Sequence, residues 1–247
     1  MTMIYSTNDV LEGKATWALV QANALDMLAA LPSNSIDAII TDPPYFLPAV
    51  HYSARTKWAR SLSDLSIIEH FIGTVMKECR RILKPSGALM MFCDGQSYPV
   101  MYVNAYRTYG RITDLVWDKG VIGMGMGVRR QHELILCAIP DSFAWQRWTR
   151  SVITSAPVSS EQRVHPAQKP IALMRHLVKL VAPRGSVVVD PFCGSGATGV
   201  AALSEGARFI GCDAEPEYVA IGHRHLTATR GSDVDGAAWG PLFETAV

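Results

Sequence analysis

The stretch Val187-Val-Val-Asp190-Pro-Phe192-Cys193-Gly194-Ser195-Gly196-Ala-Thr-Gly199 constrains the fold more than any other. Three valines without polar alternation read as a strand buried on both faces, and the glycines let bare backbone turn sharply into a helix. A helix opened in this way presents unpaired N–H groups and the positive end of its dipole to a ligand. Residues 194–199 fit G-x-G-x-x-G, and Asp213 stands 19 residues past Gly194, where an acid can accept ribose hydroxyls. The bland alternative is a tight strand-to-helix turn. Only 48 residues follow Gly199, room for one more strand and helix, whereas a dinucleotide fold needs two mononucleotide halves. The loop therefore suits a smaller nucleoside ligand unless the sheet is permuted.

The preceding chain supplies the remaining strands. Short β-branched runs at 16–21, 36–41, 88–93, 112–117, 133–139, 186–189 and 208–212 predict seven strands. They alternate with helical periods at 24–31, 67–83, 171–182, 197–205 and 216–229. Within 67–83, Ile67, Phe71, Val75, Cys79 and Ile82 recur at spacings of three and four before Pro85 and Gly87 stop the helix. The alternation predicts an α/β fold: a mostly parallel sheet with helices on both faces. With 49% hydrophobic and 18% charged residues, 247 residues suffice for one sizeable core and do not resemble a disordered chain. Residues 46–66, 119–130 and 140–164 resist regular assignment, and such segments are usually functional or mobile. The tail after Arg230 lacks periodicity.

Other classes are disfavoured. No run approaches the roughly 18 apolar residues that a membrane span needs, and the first 14 residues lack a signal-peptide layout. Five cysteines, odd in number and without a C-x-x-C pair, speak against a disulfide scaffold or zinc ribbon and for a reducing cytoplasm. No metal-ligand constellation is visible.

A second motif ends an apolar strand abruptly: Ile36-Asp-Ala-Ile-Ile-Thr-Asp42-Pro43-Pro44-Tyr45. Neither proline can donate to a sheet, so the strand stops and the chain stiffens. Asp42 and the Pro43 carbonyl become fixed acceptors, with the flat Tyr45 ring beside them. That arrangement suits a planar ligand bearing an exocyclic amino group. A strand-terminating turn with a surface tyrosine is the alternative.

Together the two motifs resemble the amino-group DNA methyltransferases, the adenine-N6 and cytosine-N4 family that uses S-adenosylmethionine. DPPY at 42–45 is similar to that family's catalytic tetrapeptide, and Asp190-Pro-Phe-Cys-Gly-Ser-Gly196 to its cofactor loop. Catalytic motif first and cofactor loop last is the order of the β subgroup. His165-Pro-Ala-Gln-Lys169-Pro170 resembles the subgroup's segment before its cofactor strand, and Phe209-Ile-Gly-Cys-Asp213 its ribose-binding strand. Ala22-Asn23 departs from the usual glycine-aspartate. The likeness spans residues 17 to 228. It implies a Rossmann-like methyltransferase fold of seven strands in permuted order, with strand 186–189 flanked by 208–212 and 36–41. It also implies one methyltransferase domain, a mobile loop at 46–66 and a short target-recognition insert at 140–164.

The implied reaction is methyl transfer to adenine N6 in DNA, on a flipped-out base stacked on Tyr45, with Asp42, Pro43, Pro44 and Tyr45 catalytic. Implied cofactor contacts are Asn23, Asp42, Lys169, Asp190, Phe192, Cys193, Gly194, Ser195, Gly196 and Asp213; Lys169 would meet the methionine carboxylate and Asp213 the ribose. Cys193 and Cys212 also suit small packing roles. The resemblance implies a prokaryotic or phage-host cytoplasm and a restriction-modification setting, and leaves a homodimer open. Cytosine-N4 transfer is the alternative, followed by RNA or protein-glutamine methylation, which the permuted order disfavours. A nicotinamide oxidoreductase is disfavoured by chain order and by DPPY; a non-catalytic relic would need a damaged motif.

For DNA, Arg55, Lys57 and Arg60 fall in an acid-free stretch with His51, Tyr52 and Trp58, while Arg129, Arg130, Arg147 and Arg150 accompany Trp145 and Trp148. Basic groups mixed with aromatics suit a backbone-tracking surface, although solvated loops carry the same residues. The net charge of +1 and pI near 7.7 hide a cancellation. Residues 46–60 hold three basic groups and no acid, whereas 187–235 hold seven acids against three bases. A polarised surface is expected.

Overall fold

A computed structural model describes residues 5–44, 64–123, 127–145, 147–159, 161, 163 and 168–231. The elements run α1 (Thr7–Leu11), β1 (Trp17–Gln21), α2 (Ala24–Ala30), β2 (Ile36–Thr41), α3 (Leu65–Ile82), β3 (Leu83–Cys93), α4 (Tyr98–Tyr109) and β4 (Ile112–Asp118). They continue β5 (His132–Ala138), β6 (Val152–Thr154), α5 (Ile171–Val181), β7 (Val187–Asp190), α6 (Ala197–Ser204), β8 (Arg208–Asp213) and α7 (Pro216–Gly231).

The strands form one sheet in the order β1-β8-β7-β2-β3-β5-β4-β6. Both antiparallel pairings involve β5, which alone runs against its neighbours. The expected neighbours of β7 are the observed ones, β8 and β2. Apolar runs without polar alternation fit this sheet because both faces are covered. Ala88, Met90 and Phe92 of β3 join the core beneath α5 and α6, while Leu89, Met91 and Cys93 join the core beneath α2 and α3.

Three elements depart from the sequence expectation. Among the described residues the sheet has eight strands, not seven, because β6 forms at its edge inside a segment that shows no period. Three residues are too few to display one. Helix α4 reads YPVMYVNAYRTY, whose aromatic and β-branched side chains favour a strand locally. Pro99 at its start and Gly110 at its end, at φ +80°, are the signals that mark it as a helix. Helix α1 is a single capped turn closed by a reciprocal Ser6–Asp9 box. Pro85 and Gly87 do end α3, but the chain enters β3 at once. Ile36 pairs with Leu83 and Ala38 with Ala88, so a bulge absorbs the proline. Of the expected mobile loop at 46–66, residues 64–66 open α3 with Asp64 as its cap, and the rest lies outside the described residues.

The topology places the site. From β7 the chain crosses through α6 to β8 on one side; from the adjacent β2 it crosses through α3 to β3 on the other. The two crossovers diverge at the carboxyl ends of β7 and β2, the switch point at which open α/β sheets bind ligands.

Candidate active site

Both sequence motifs meet at this switch point. A cleft of about 420 Å³ is lined by Asp42, Pro43 and Pro44 from the end of β2 and by Asp190 through Ser195 from the end of β7. Asn23, Phe71, Lys169, Thr198 and Asp213 also line it. Its size falls within the range of small-molecule sites.

The cofactor loop is held from below. Asp190 is 2% exposed, and its carboxylate accepts from Thr41 Oγ1 at 2.7 Å, Thr198 Oγ1 at 2.5 Å and the Phe192 amide at 3.1 Å. Burial outweighs these three donors and pushes its pKa up to about 6. Asp190 lines the cleft and ties the Phe192 amide and Thr198 to the end of β2, which shapes the loop that approaches a ligand. Gly194 and Gly196 take φ +50° and +83°, and a Cβ on Gly196 would stand 3.2 Å from the Gly222 Cα. Backbone alone passes there.

Asp213 ends β8 beside the glycine loop. Its Oδ2 accepts from the Gly194 amide at 2.9 Å and its Oδ1 from the Glu215 amide at 3.0 Å. Each carboxylate oxygen has a second lone pair, so the acid can still accept hydroxyls from a ligand. Asn23, beside Asp213 across the β1–β8 pairing, caps α2 by accepting from the Leu25 amide. Phe192 packs edge-on to Phe71 at 6.0 Å between ring centres, giving the cleft an aromatic wall. An acid at one end, a glycine loop, and an apolar ring fit a nucleoside carrying a ribose. Cys193 is 6% exposed, and burial raises its thiol well above the usual range. All five cysteines are buried, which leaves no accessible thiolate nucleophile.

Lys169 meets acids from two strands. It lines the same cleft as the 190–195 loop, and its ammonium pairs with Asp42 Oδ2 and stands 3.1 Å from Glu133 Oε2. Glu133 was not among the residues singled out from sequence, since a lone glutamate opening a strand carries no local signal.

The basic residues divide between two edges of the sheet. Arg129 and Arg130 precede β5, whose amino end lies at the carboxyl edge, and Arg130 bonds Asp94 at 2.5 Å just past β3. Arg147 and Arg150 precede β6, which runs parallel to β4, so they lie at the opposite edge. Arg147, with Trp145 and Trp148, borders a separate cleft of about 500 Å³ at the start of β4. The two arginine pairs are not brought together. The expected recognition interval 140–164 divides likewise, and only the part after β6 returns to the active edge. Tyr45, Arg55, Lys57, Arg60 and His165 lie outside the described residues. Among the described residues no helix is long and apolar enough to cross a membrane, and no His, Cys, Asp or Glu cluster could hold a metal ion.

Comparison with known proteins agrees with this geometry. A family model described as DNA methylase, covering N6 and N4 enzymes, matches residues 36–224. The chain is 23% identical over 251 residues to the DNA adenine methyltransferase YhdJ of Escherichia coli, covering 87% of this chain and 84% of that protein. The solved M1.HpyAVI–SAM complex superposes with a TM-score of 0.64 at 21% identity, covering 85% of this chain and 98% of the other. The cytosine-N4-specific PvuII DNA methyltransferase gives 0.69 at 16% identity, covering 90% and 89%. At these identities the structural likeness speaks for the fold.

Proposed function

Because the chain belongs to the N6/N4 DNA methylase family, we propose that it transfers a methyl group from S-adenosylmethionine to adenine N6 in DNA. The observation that carries this reading is the convergence of Asp42-Pro43-Pro44 and the 190–196 loop on one cleft across the β7–β2 switch point.

The exocyclic nitrogen of a base is a poor nucleophile because its lone pair is delocalised into the ring. Asp42 and the Pro43 carbonyl accept its two hydrogens and favour a pyramidal nitrogen with a directed lone pair. The cofactor supplies an electrophilic methyl group on a sulfonium. Asp213 would hold the ribose and the Phe192–Gly196 loop the methionine end, so that reacting atoms align; catalysis is positioning and electrostatic stabilisation. Asp42 need not remove a proton before attack, since the nitrogen becomes acidic as the methyl arrives. The target base must leave the duplex to reach this depth, with Tyr45 as its stacking partner. Arg129 and Arg130, at the same edge, suit phosphate contacts.

Cytosine-N4 transfer makes the same demands, and the likeness to the PvuII enzyme keeps it as the second reading. Aspartate at position 42 favours adenine by resemblance. The test is incubation with methyl-labelled S-adenosylmethionine and DNA, RNA or protein, followed by digestion of labelled DNA to nucleosides. Label in N6-methyladenine is expected, and its loss in Asp42→Ala with cofactor binding partly retained. Label in N4-methylcytosine would select the second reading, and full activity in Asp42→Ala would refute both.

A further inference from the structure

Four charged side chains of alternating sign form a row that ends at Asp42 in the wall of the cleft. Lys119 bonds Glu133 Oε1 at 2.6 Å, Lys169 stands 3.1 Å from Glu133 Oε2, and Lys169 pairs with Asp42. The Lys169 side chain is 8% exposed, with its ammonium 4.8 Å from the Phe92 ring centre and 5.9 Å from that of Trp117. Phe92 and Trp117 meet edge to face and are buried, so the cation rests on a dry aromatic floor. Burial disfavours this ammonium, but the charges of Asp42 and Glu133 outweigh it and hold its pKa above the ordinary lysine value. Burial likewise opposes ionisation of Glu133, and Lys169 and Lys119 outweigh that too.

The arrangement depends on the reversed strand. Glu133 is the second residue of β5, and only because β5 is antiparallel does its amino end reach the carboxyl edge beside Asp42. Lys169 is held from the other side by Pro170, which opens α5 and restricts the residue before it to extended backbone. A buried ion pair is poor evidence of stabilisation, since apolar replacements often serve a fold as well. Its position against the acceptor of the target amino group points to the reaction.

We propose that Lys169 and Glu133 are positioning residues for methyl transfer, holding the Asp42 carboxylate in one orientation toward the target amino group. Lys169 acts on the base side of the cleft and not on the cofactor carboxylate. This inference rests on the reading of Asp42 as the amino-group acceptor. Asp42 follows two single-bond rotations from a backbone that the prolines stiffen, so the backbone fixes the Cα and the lysine fixes the oxygens. Displacement of a reacting group by about 1 Å can cost about 100-fold in rate.

The test separates base-side from cofactor-side roles. Among the described residues Glu133 does not line the cleft, and Lys169 links it to Asp42. Wild type, Glu133→Gln, Lys169→Met and the double variant are compared by calorimetric titration with S-adenosylmethionine and by methylation at saturating cofactor and DNA. Expected for both single variants is a kcat lowered about 10- to 100-fold, with cofactor Kd and DNA KM within about threefold of wild type. The double variant should be no slower than the slower single one, because both remove one restraint. A Lys169→Met variant with cofactor Kd raised about tenfold and kcat intact would assign the lysine to the cofactor and overturn the inference. So would wild-type kcat in Glu133→Gln, or losses that multiply in the double variant. If Lys169→Met does not fold, Glu133→Gln decides alone. A wild-type chain that methylates no DNA overturns the reading of the site itself; an active one insensitive to Glu133→Gln overturns only this inference.

Discussion

Asp190→Asn isolates what the buried carboxylate beneath the cofactor loop does to stability. In the unfolded chain the group titrates near 3.8, and in the fold burial raises it to about 6. The native state therefore binds this proton more tightly than the unfolded state. Stability from the group is fully present below about pH 4 and is lost as pH rises through about 6. The gap corresponds to about 3 kcal/mol, most of it lost between pH 4 and pH 7. Asparagine keeps the geometry: its Oδ1 can accept from Thr41 and Phe192, and its amide can donate to the Thr198 hydroxyl, which turns to accept. Only the charge is removed. Urea unfolding of both proteins from pH 4 to pH 8 should show the variant gaining on wild type by about 2 to 3 kcal/mol as pH rises. Between pH 4 and pH 8 that is a relative Tm gain of about 4 to 12 °C for a chain of this size. A difference that stays flat with pH would refute the reasoning, because it would mean the carboxylate is not ionised at a cost in the fold.

Three further outcomes follow from the same contacts. Thr198→Val leaves an Asp190 oxygen without its 2.5 Å donor and should destabilise by about 1.5 to 3 kcal/mol at pH 7, less in an Asp190→Asn background; a chemical-denaturation cycle measures it. Gly199→Ala would set a Cβ 2.6 Å from Phe209 ring carbons and 2.7 Å from Leu226, both fully buried, and should cost about 1 to 3 kcal/mol in the same assay. Arg129→Ala should weaken DNA binding and lower its salt slope by about one, whereas Arg147→Ala and Arg150→Ala, at the far edge, should leave both unchanged. Fluorescence anisotropy across several salt concentrations distinguishes them, and equal losses at all three positions would reject the division of the two edges.

Much of this site is local chemistry and is legible as such. A valine run that meets glycines must be a buried strand turning into a helix, and two consecutive prolines must end a strand, whatever surrounds them. The neighbours of β7 followed from the resemblance and the permuted motif order. Helix α4 and strand β6 were not legible: one carries strand-forming side chains that packing overrides, and the other is three residues long.

The sequence by itself determined the two binding loops, the acids at positions 42, 190 and 213, and the order in which the chain delivers them. Those features depend on backbone rules that act over a few residues. Only the tertiary structure decided that Glu133 joins Lys169 and Asp42, and that Arg147 and Arg150 lie at the opposite edge of the sheet. Both outcomes turn on strand direction: β5 runs against the sheet and β6 runs with it. Direction is set by how a whole edge packs, and no residue in either strand encodes it alone.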